Sequence, residues 1–345
     1  MGNSKKLSVI IPCRNEEKYL KTCLNSVVDN DYPKEDLEVF VIDGNSNDNT
    51  RVIAGQYEKK YDFIHLLLNE KNTVPFAMNL GIKKSSGDYI IRLDAHSEIP
   101  GNYFSELIKW SEKLDADNVG VIWITDVKNK NPKSNSIIKV LTSRLGVGNA
   151  YFRIGVDKVK EVDTVPFGCY KKDVFEKIGL YNTRLTRNQD IELNKRLKKK
   201  NGKIFLLPDL FCKYFARETF SGIAGNNFRN GLWNILTIYI TKKLGSVSLR
   251  HFIPFLFLLT LVIPLIFMIW YPGLGFIALL SFIIYLLTIL FVSLKIKDKD
   301  SSFYLVVWTF IVLHLSYGFG SFIGLFRIDY FLKSEENIKH GSASE

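Results

Sequence analysis

Three acidic positions along the 345-residue chain carry side chains that could bind a metal–phosphate group and move a proton. Asp43 and Asp94 each follow an apolar run, His96 stands two residues after Asp94, and Asp190 begins a polar, helix-like segment. Carboxylate oxygens accept hydrogen bonds, coordinate divalent cations and act as general bases. These residues are therefore candidates for a site of chemistry, and the elements around them must bring them together.

Asp43 ends the predicted strand 37–42 and is followed by Gly44, Asn45 and Ser46. A carboxylate at a strand end can accept hydrogen bonds from a nucleotide base or a ribose hydroxyl. The same composition is typical of a turn in which Asp and Asn bond to their own backbone. Both interpretations fit the sequence.

Asp94 and His96 follow the predicted strand 88–93, so both side chains would lie in one loop. Aspartate is a hard oxygen ligand suited to Mg²⁺ or Mn²⁺, and an imidazole nitrogen shifts the preference toward Mn²⁺. A divalent cation held here would neutralise the charge on a departing diphosphate. An ordinary surface Asp–His pair fits the sequence equally well.

Asp190 is the candidate for a general base that takes the proton from an attacking hydroxyl group. Its place at the start of the predicted helix 190–200 also fits a helix N-cap, which would lower the pKa of the carboxyl and weaken it as a base. Arg92, close to the end of the strand 88–93, could reach a phosphate or pair with a neighbouring carboxylate. We favour the ion pair.

Strand-length apolar runs alternate with helix-like segments through the first 215 residues. This alternation predicts an α/β fold with a mostly parallel sheet flanked by helices. Ligands of such folds bind at the carboxyl ends of the strands. Because Pro12, Asp43 and Asp94 fall at predicted strand ends, we expect them to face one cleft.

Three later segments are apolar over the roughly 20 residues that a helix needs to cross a bilayer: His251–Tyr271, Leu274–Leu294 and Phe303–Phe326. Cations before the first segment and between the second and third are Lys242, Lys243, Arg250, Lys295, Lys297 and Lys299. Because such cations stay on the cytoplasmic side, we expect a multi-pass protein of the inner (cytoplasmic) membrane. Its soluble domain would lie in the cytoplasm and its tail after Arg327 on the other side.

The region 216–250 mixes aromatic residues with Arg and Lys, which is typical of helices that lie in the headgroup plane of a membrane. The alternative is that it forms the last packing layer of the soluble domain. The sequence thus predicts a cytoplasmic domain 1–215, amphipathic interfacial helices 216–250, about three transmembrane helices in 251–326 and a tail 327–345.

The formal net charge of +11 fits a membrane surface and anionic substrates, and no recognised nucleic-acid motif accompanies it. We therefore expect no nucleic-acid partner. The four cysteines have neither CxxC spacing nor a zinc-ligand pattern with His, which indicates reduced, mostly buried thiols.

The ordered set of segments resembles the family 2 inverting glycosyltransferases of the Rossmann-like GT-A fold, over about residues 7–210. The matching pieces are Ser8-Val9-Ile10-Ile11-Pro12-Cys13-Arg14-Asn15-Glu16-Glu17, the Asp43 loop, Ala77-Met78-Asn79-Leu80-Gly81, Ser86-Gly87-Asp88-Tyr89, Asp94-Ala95-His96, and Gly168 through the Asp190 helix.

This resemblance implies an enzyme that transfers a hexose from a nucleotide-sugar donor, foremost a UDP-sugar. It assigns Pro12, Asn15 and Asp43 to nucleotide binding, Asp94 and His96 to the metal diphosphate with Mn²⁺ or Mg²⁺, and Asp190 to the base. The tail segment His314–Gly320 is similar, more narrowly, to membrane-anchored glucosyltransferases of succinoglycan-type exopolysaccharide assembly. The implied acceptor is a polyprenyl-diphosphate-linked sugar.

The sequence departs from the family pattern at two points. His96 replaces the second Asp of the wider family, and the Gln-x-x-Arg-Trp motif of processive synthases is absent. Together with only three predicted spans, the second departure favours addition of a single sugar. The alternatives are transfer of the sugar directly to a polyprenyl phosphate and a membrane scaffold that binds nucleotide without chemistry.

Overall fold

The computed structural model describes residues 5–332. Within them, nine strands form one sheet: β1 Leu7–Cys13, β2 Leu37–Asp43, β3 Ile64–Leu68, β4 Tyr89–Arg92, β5 Ser97–Glu98, β6 Asn118–Asp126, β7 Lys160–Glu161, β8 Cys169–Lys171 and β9 Ile204–Phe215.

The α-helices of the described residues are α1 Leu20–Val28, α2 Thr50–Lys60, α3 Val74–Lys84, α4 Tyr103–Lys113, α5 Pro132–Leu141, α6 Arg144–Val147, α7 Tyr151–Ile154, α8 Asp173–Ile178, α9 Gln189–Lys199, α10 Phe220–Thr241, α11 Ile253–Phe267, α12 Leu274–Ile296 and α13 Phe303–Leu325. The chain separates into two compact units. Of the described residues, one unit contains 5–124 with Tyr151–Phe215, and the other contains Thr125–Ala150 with 216–332.

The strand order of the sheet is β3-β2-β1-β4-β8-β6-β9-β5, with β7 paired to β9. The four strands β3, β2, β1 and β4 are parallel. β8 is antiparallel to β4 and β6, and β5 and β7 are antiparallel to β9. The predicted α/β fold with flanking helices is confirmed, and its sheet is mixed, with the parallel half at one side.

β1 is buried along its whole length because both faces of the sheet are covered. Leu7, Val9 and Ile11 belong to one apolar core, whereas Ile10 packs in the other core with Met78 of α3. This two-sided burial explains why the strand has a continuous apolar sequence instead of alternating polar and apolar residues.

In the second unit, α10 and α13 pack closely enough for their backbones to touch. A Cβ atom at Gly231 would lie 2.0 Å from the Tyr317 carbonyl oxygen, and one at Gly320 would lie 2.0 Å from the Phe228 carbonyl oxygen. Small residues at such positions are typical of helix pairs in membranes. The contact places α10 against the third apolar helix, and both interpretations of 216–250, interfacial helices or a last packing layer of the soluble domain, stay predictions.

Three helical segments of the described residues are long and apolar enough to cross a membrane: Leu249–Phe267, Leu274–Ile296 and Phe303–Leu325. They coincide with the three predicted apolar segments. Most of the predicted tail lies outside the described residues.

The segment 125–150 is attached to these apolar helices. Lys139 of α5 forms an ion pair with Asp298 at 2.6 Å, and the amide of Asn135 donates to the Asp300 carbonyl oxygen at 2.9 Å. In α13, His314 contacts the Leu145 carbonyl oxygen at 3.0 Å. Helix α5, which begins at Pro132, therefore packs within the second unit.

Candidate active site

A cleft of about 170 Å³ lies at the carboxyl ends of the parallel strands. It is lined by Pro12, Cys13, Arg14, Glu16, Ile42, Gly44, Asn69, Asn72, Thr73, Val74, Ala77, Arg92, Asp94 and His96. Each of the four parallel strands contributes its own end or the loop that follows. The place of the cleft agrees with the rule for ligand binding in open α/β sheets.

The loop after β1 is fastened to the loop after β2. The Asn15 backbone N–H donates to Ser46 Oγ at 2.9 Å, and the Asn15 side-chain oxygen accepts from the Asn47 N–H at 3.0 Å. Asn15 has a φ of 55°, a conformation that Asn adopts more readily than most residues. Asn15 therefore shapes this end of the sheet, and Pro12 lines the cleft directly.

Asp43 is fully buried at the end of β2, and Gly44 after it lines the cleft. Its carboxylate accepts from the Ser46 N–H at 3.2 Å and from Arg51 Nε and Nη2 at 2.9 and 2.7 Å. The carboxylate thus serves the backbone of its own loop, as the turn interpretation of this segment expects. A role of Asp43 in nucleotide binding stays a prediction.

Asp94 and His96 both line the cleft after β4. Asp94 Oδ1 accepts from Arg92 Nε at 2.9 Å, and His96 Nδ1 lies 3.1 Å from Glu16 Oε1. The His96 and Tyr214 rings form a T-shaped pair with a centroid distance of 5.3 Å. The loop after β4 is therefore held from both sides.

Within residues 5–332, no three His, Cys, Asp or Glu side chains are grouped as metal ligands. Mg²⁺ and similar cations need only one or two protein ligands when phosphate oxygens and water complete the shell. A carboxylate bonded to the second nitrogen of a ligating His is the usual support for such a ligand, and Glu16 has this place beside His96. Asp94 and His96 therefore fit a cation shared with a diphosphate.

Asp190 lies in the first turn of α9, and Asn188 occupies the N-cap position. Both carboxylate oxygens of Asp190 point at Arg92 Nη1, at 2.5 and 2.6 Å. Burial raises the pKa of the Asp190 carboxyl above its ordinary value, the Arg92 charge acts in the opposite direction, and Asp94 adds to the increase. The raised pKa and the N-cap position of Asn188 therefore do not fit the alternative in which Asp190 is an N-cap carboxylate with a lowered pKa.

Arg92 forms the ion pairs that we favoured from the sequence. Its side chain bonds to Asp94 and to Asp190, which lie far apart in the chain. Burial would lower the pKa of the Arg92 guanidinium, but Asp190 and Asp94 reverse this and raise it. Because Arg92 lines the cleft, this ion pair connects Asp190 to the cleft wall.

Thr73 is a cleft residue that the sequence did not single out. Its Oγ1 atom is buried and has no hydrogen-bond partner within the part of the chain that the structure describes. Native proteins satisfy most buried hydroxyls, so a ligand or water is the expected partner here. The signal in the sequence was its position just before Val74 and Pro75, where α3 begins.

Residues 8–179 match the family model described as Glycosyl transferase family 2. These residues include all of β1 except Leu7, the Asp43 loop, Asp94 and His96.

Two relatives illustrate the range of similar proteins. The chain is 28% identical over 278 residues to the dolichyl N-acetyl-alpha-D-glucosaminyl phosphate 3-beta-D-2,3-diacetamido-2,3-dideoxy-beta-D-glucuronosyltransferase of Methanococcus voltae, covering 75% of this chain and 86% of that protein. It is 26% identical over 211 residues to succinoglycan biosynthesis protein ExoA of Rhizobium meliloti (strain 1021), covering 61% of this chain and 63% of that protein.

Among solved structures, S. aureus TarS 1-349 in complex with UDP is similar at a TM-score of 0.49 and 16% identity, covering 92% of this chain and 90% of that one. A longer TarS chain is covered over 39% of its length. Residues 8–179 form a family 2 glycosyltransferase domain, and the chain belongs to that family.

Proposed function

We propose that this protein is an inverting glycosyltransferase that adds a single sugar from a nucleotide-sugar donor, foremost a UDP-sugar, to a polyprenyl-diphosphate-linked acceptor. The product would enter exopolysaccharide or another cell-surface glycan. The proposal depends above all on one observation. In the compact unit that carries the family 2 match, Asp94 on the cleft wall and Asp190 of α9 both bond to Arg92.

The donor would lie across the ends of β1, β2 and β4. Pro12 and the loop held by Asn15 and Asp43 would form the nucleotide side of the cleft. Asp94 and His96 would hold a divalent cation, Mn²⁺ or Mg²⁺, and when bound it would neutralise the negative charge on the departing diphosphate. The donor would then keep one orientation relative to Asp190.

Asp190 would act as the general base. It accepts the proton of the acceptor hydroxyl while that oxygen bonds to the anomeric carbon. The bond from that carbon to the diphosphate oxygen breaks, and its electron pair leaves with the diphosphate. Because the attack comes from the face opposite the leaving group, the configuration inverts. The raised pKa of Asp190 suits a base better than an ordinary surface carboxyl does.

A lipid-linked acceptor fits the three apolar helices that follow the catalytic domain. The name of the relative from Methanococcus voltae includes a dolichyl-linked N-acetylglucosaminyl phosphate. We propose that the helices lie in the inner membrane with the cleft on the cytoplasmic side, where the cations between the spans would be retained. The active site would then work at the membrane surface.

Full-length protein in lipid nanodiscs, supplied with Mn²⁺ or Mg²⁺ and a panel of UDP- and GDP-sugars, would decide the function. The acceptors should be a polyprenyl phosphate, a polyprenyl-phosphate sugar and a polyprenyl-diphosphate sugar, with products read by mass and by the anomeric configuration in NMR spectra. We expect one added hexose on the diphosphate-linked sugar, with inversion. Transfer to bare polyprenyl phosphate would identify the alternative enzyme, and no transfer from any donor would identify a scaffold.

A further inference from the structure

One guanidinium group contacts both carboxylates of the proposed active site. Arg92 Nε and Nη2 each lie 2.9 Å from Asp94 Oδ1. Nη1 lies 2.5 and 2.6 Å from the two oxygens of Asp190. All three nitrogen atoms of the group are therefore used, with one edge on Asp94 and the remaining nitrogen on Asp190.

The surroundings of Arg92 hold it in this geometry. Arg92 ends β4, is only 8% exposed, and pairs in register with Ile10 of β1. Tyr181 hydrogen-bonds to Asp190, and Tyr170 donates to Asn194 Oδ1 of the same helix at 3.0 Å. A planar guanidinium in a buried site directs its donors in fixed directions, whereas a lysine ammonium is a single flexible point charge.

Two carboxylates that approach one cleft repel each other unless a cation lies between them. Arg92 supplies that cation while leaving the cleft side of Asp94 to the donor. We propose, on the basis of the function proposed above, that Arg92 is a positioning residue that sets the placement of the base Asp190 relative to the donor ligand Asp94. Arg92 itself transfers no proton.

Loss of activity in an Arg92 variant would not by itself establish this role, because breaking a buried ion pair also destabilises a fold. A positioning role has a distinct kinetic signature. The turnover number falls because the base is misplaced, and the KM for the donor stays close to its original value because the donor is bound by other residues. A misplacement of about 1 Å at a reacting group can cost on the order of 100-fold in rate.

The decisive experiment is chemical rescue of Arg92→Ala in full-length protein in nanodiscs. We expect kcat to fall on the order of 100-fold, with the donor KM within about twofold of the original. Added guanidinium should then raise the kcat of the variant at least about tenfold. Arg92→Lys keeps the positive charge but lacks the planar guanidinium group with its several donors. It should therefore retain intermediate activity that added guanidinium does not increase.

Arg196 offers a matched control. Its Nε bonds to Glu192 at 2.8 Å and its Nη2 to the Leu180 carbonyl oxygen at 2.7 Å, so it also holds α9 in place. Arg196→Ala should lower the melting temperature, and guanidinium should not change its turnover. If Arg92 acts through Asp190, adding Arg92→Ala to Asp190→Asn should cause little further loss of activity.

Three results would overturn the inference while leaving the proposed function in place: full activity of Arg92→Ala, a loss confined to the donor KM, or a folded Arg92→Ala protein with low turnover that guanidinium does not change. If Arg92→Ala does not fold, Arg92→Lys decides instead, and a change in its donor KM rather than in its kcat would overturn the inference. Absence of transfer by the unaltered protein would overturn the proposed function and this inference with it.

Discussion

His96 Nδ1 lies 3.1 Å from Glu16 Oε1, so the loop after β4 is joined to the loop after β1. Bonding at Nδ1 fixes the orientation of the ring, so a metal bound by His96 would be bound through Nε2. Glu16 and His96 both line the cleft. The pair is therefore the structural basis for expecting that His96 can stand where the wider family has a second Asp.

Glu16→Gln should weaken metal binding. Loss of a carboxylate that supports a ligating His typically costs about 10- to 100-fold in metal affinity. We expect the Mn²⁺ concentration for half-maximal transfer to rise by about that factor, as measured by a Mn²⁺ titration of the transfer rate. The neighbouring Glu17→Gln is the control, because Glu17 bonds to Asn49 instead. Equal Mn²⁺ titrations for the two variants would show that Glu16 does not support a metal ligand.

His96→Asp should shift the metal preference from Mn²⁺ toward Mg²⁺. The substitution exchanges an imidazole nitrogen for a hard oxygen, which Mg²⁺ prefers. The measurement is the ratio of transfer rates with Mg²⁺ and with Mn²⁺, and we expect this ratio to rise above that of the unaltered protein. An unchanged ratio would mean that His96 does not contact the cation.

The acid side of the pH profile should report Asp190. Its pKa is raised by burial, so the carboxyl stays protonated to a higher pH than an ordinary Asp, whose pKa is about 3.9. A protonated carboxyl cannot accept the proton of the acceptor, so kcat/KM should fall as the pH decreases through this raised pKa. Initial rates across a pH series would measure it. A profile that stays flat down to the ordinary Asp range would contradict the shift.

The ends of the strands could be predicted from the sequence, whereas the joining of Asp94 to Asp190 could not. Apolar runs ending in Pro12, Asp43 and Asp94 mark the carboxyl ends of β1, β2 and β4, because buried parallel strands have a recognisable composition. Asp190 and Arg92 are 98 residues apart, and no local pattern reports that their side chains meet. The sequence offered Asp190 as a general base by its residue type and the family resemblance assigned it that role, but neither predicted its contact with Arg92.

Short elements and loop structure account for the other differences. β8 has three residues and β5 has two, so neither leaves a periodic pattern, and the mixed character of the sheet was not visible. α5 begins at Pro132, after the N-cap Asn131, in a polar stretch whose composition does not indicate a helix. The Asn-Pro pair was the available signal, since Asn is favoured at the N-cap and Pro at the first helical position.

Thr73→Val should weaken donor binding. If the buried Thr73 hydroxyl bonds to the donor, its loss removes a hydrogen bond worth about 0.5–1.5 kcal/mol, or roughly a 2- to 10-fold higher donor KM. Ser111→Ala is the control, because Ser111 Oγ is also buried without a partner among the described residues but does not line the cleft. Isothermal titration of UDP would measure both variants. Equal affinities would remove Thr73 from the donor site.

Gly231→Ala should destabilise the packing of α10 against α13. The new methyl group would lie 2.0 Å from the Tyr317 carbonyl oxygen, a backbone atom that cannot rotate away. Overpacking of this kind typically costs about 1–3 kcal/mol, so the melting temperature in nanodiscs should fall. Gly245→Ala is the control, because nothing lies within 4 Å of its new Cβ. Equal melting temperatures would show that the helices do not pack as closely as described.

The single-turnover rate of sugar transfer by Asp190→Asn is the most direct measurement of whether this cleft is a catalytic site. The amide keeps the size of the side chain but cannot accept the proton, so we expect a rate about 10²- to 10⁴-fold below that of the unaltered protein, with donor binding retained. Asp173→Asn, at an exposed position of α8, should transfer sugar at the original rate. An unchanged transfer rate in Asp190→Asn would contradict the assignment of the base, and with it the placement of the reaction between Asp94 and Asp190.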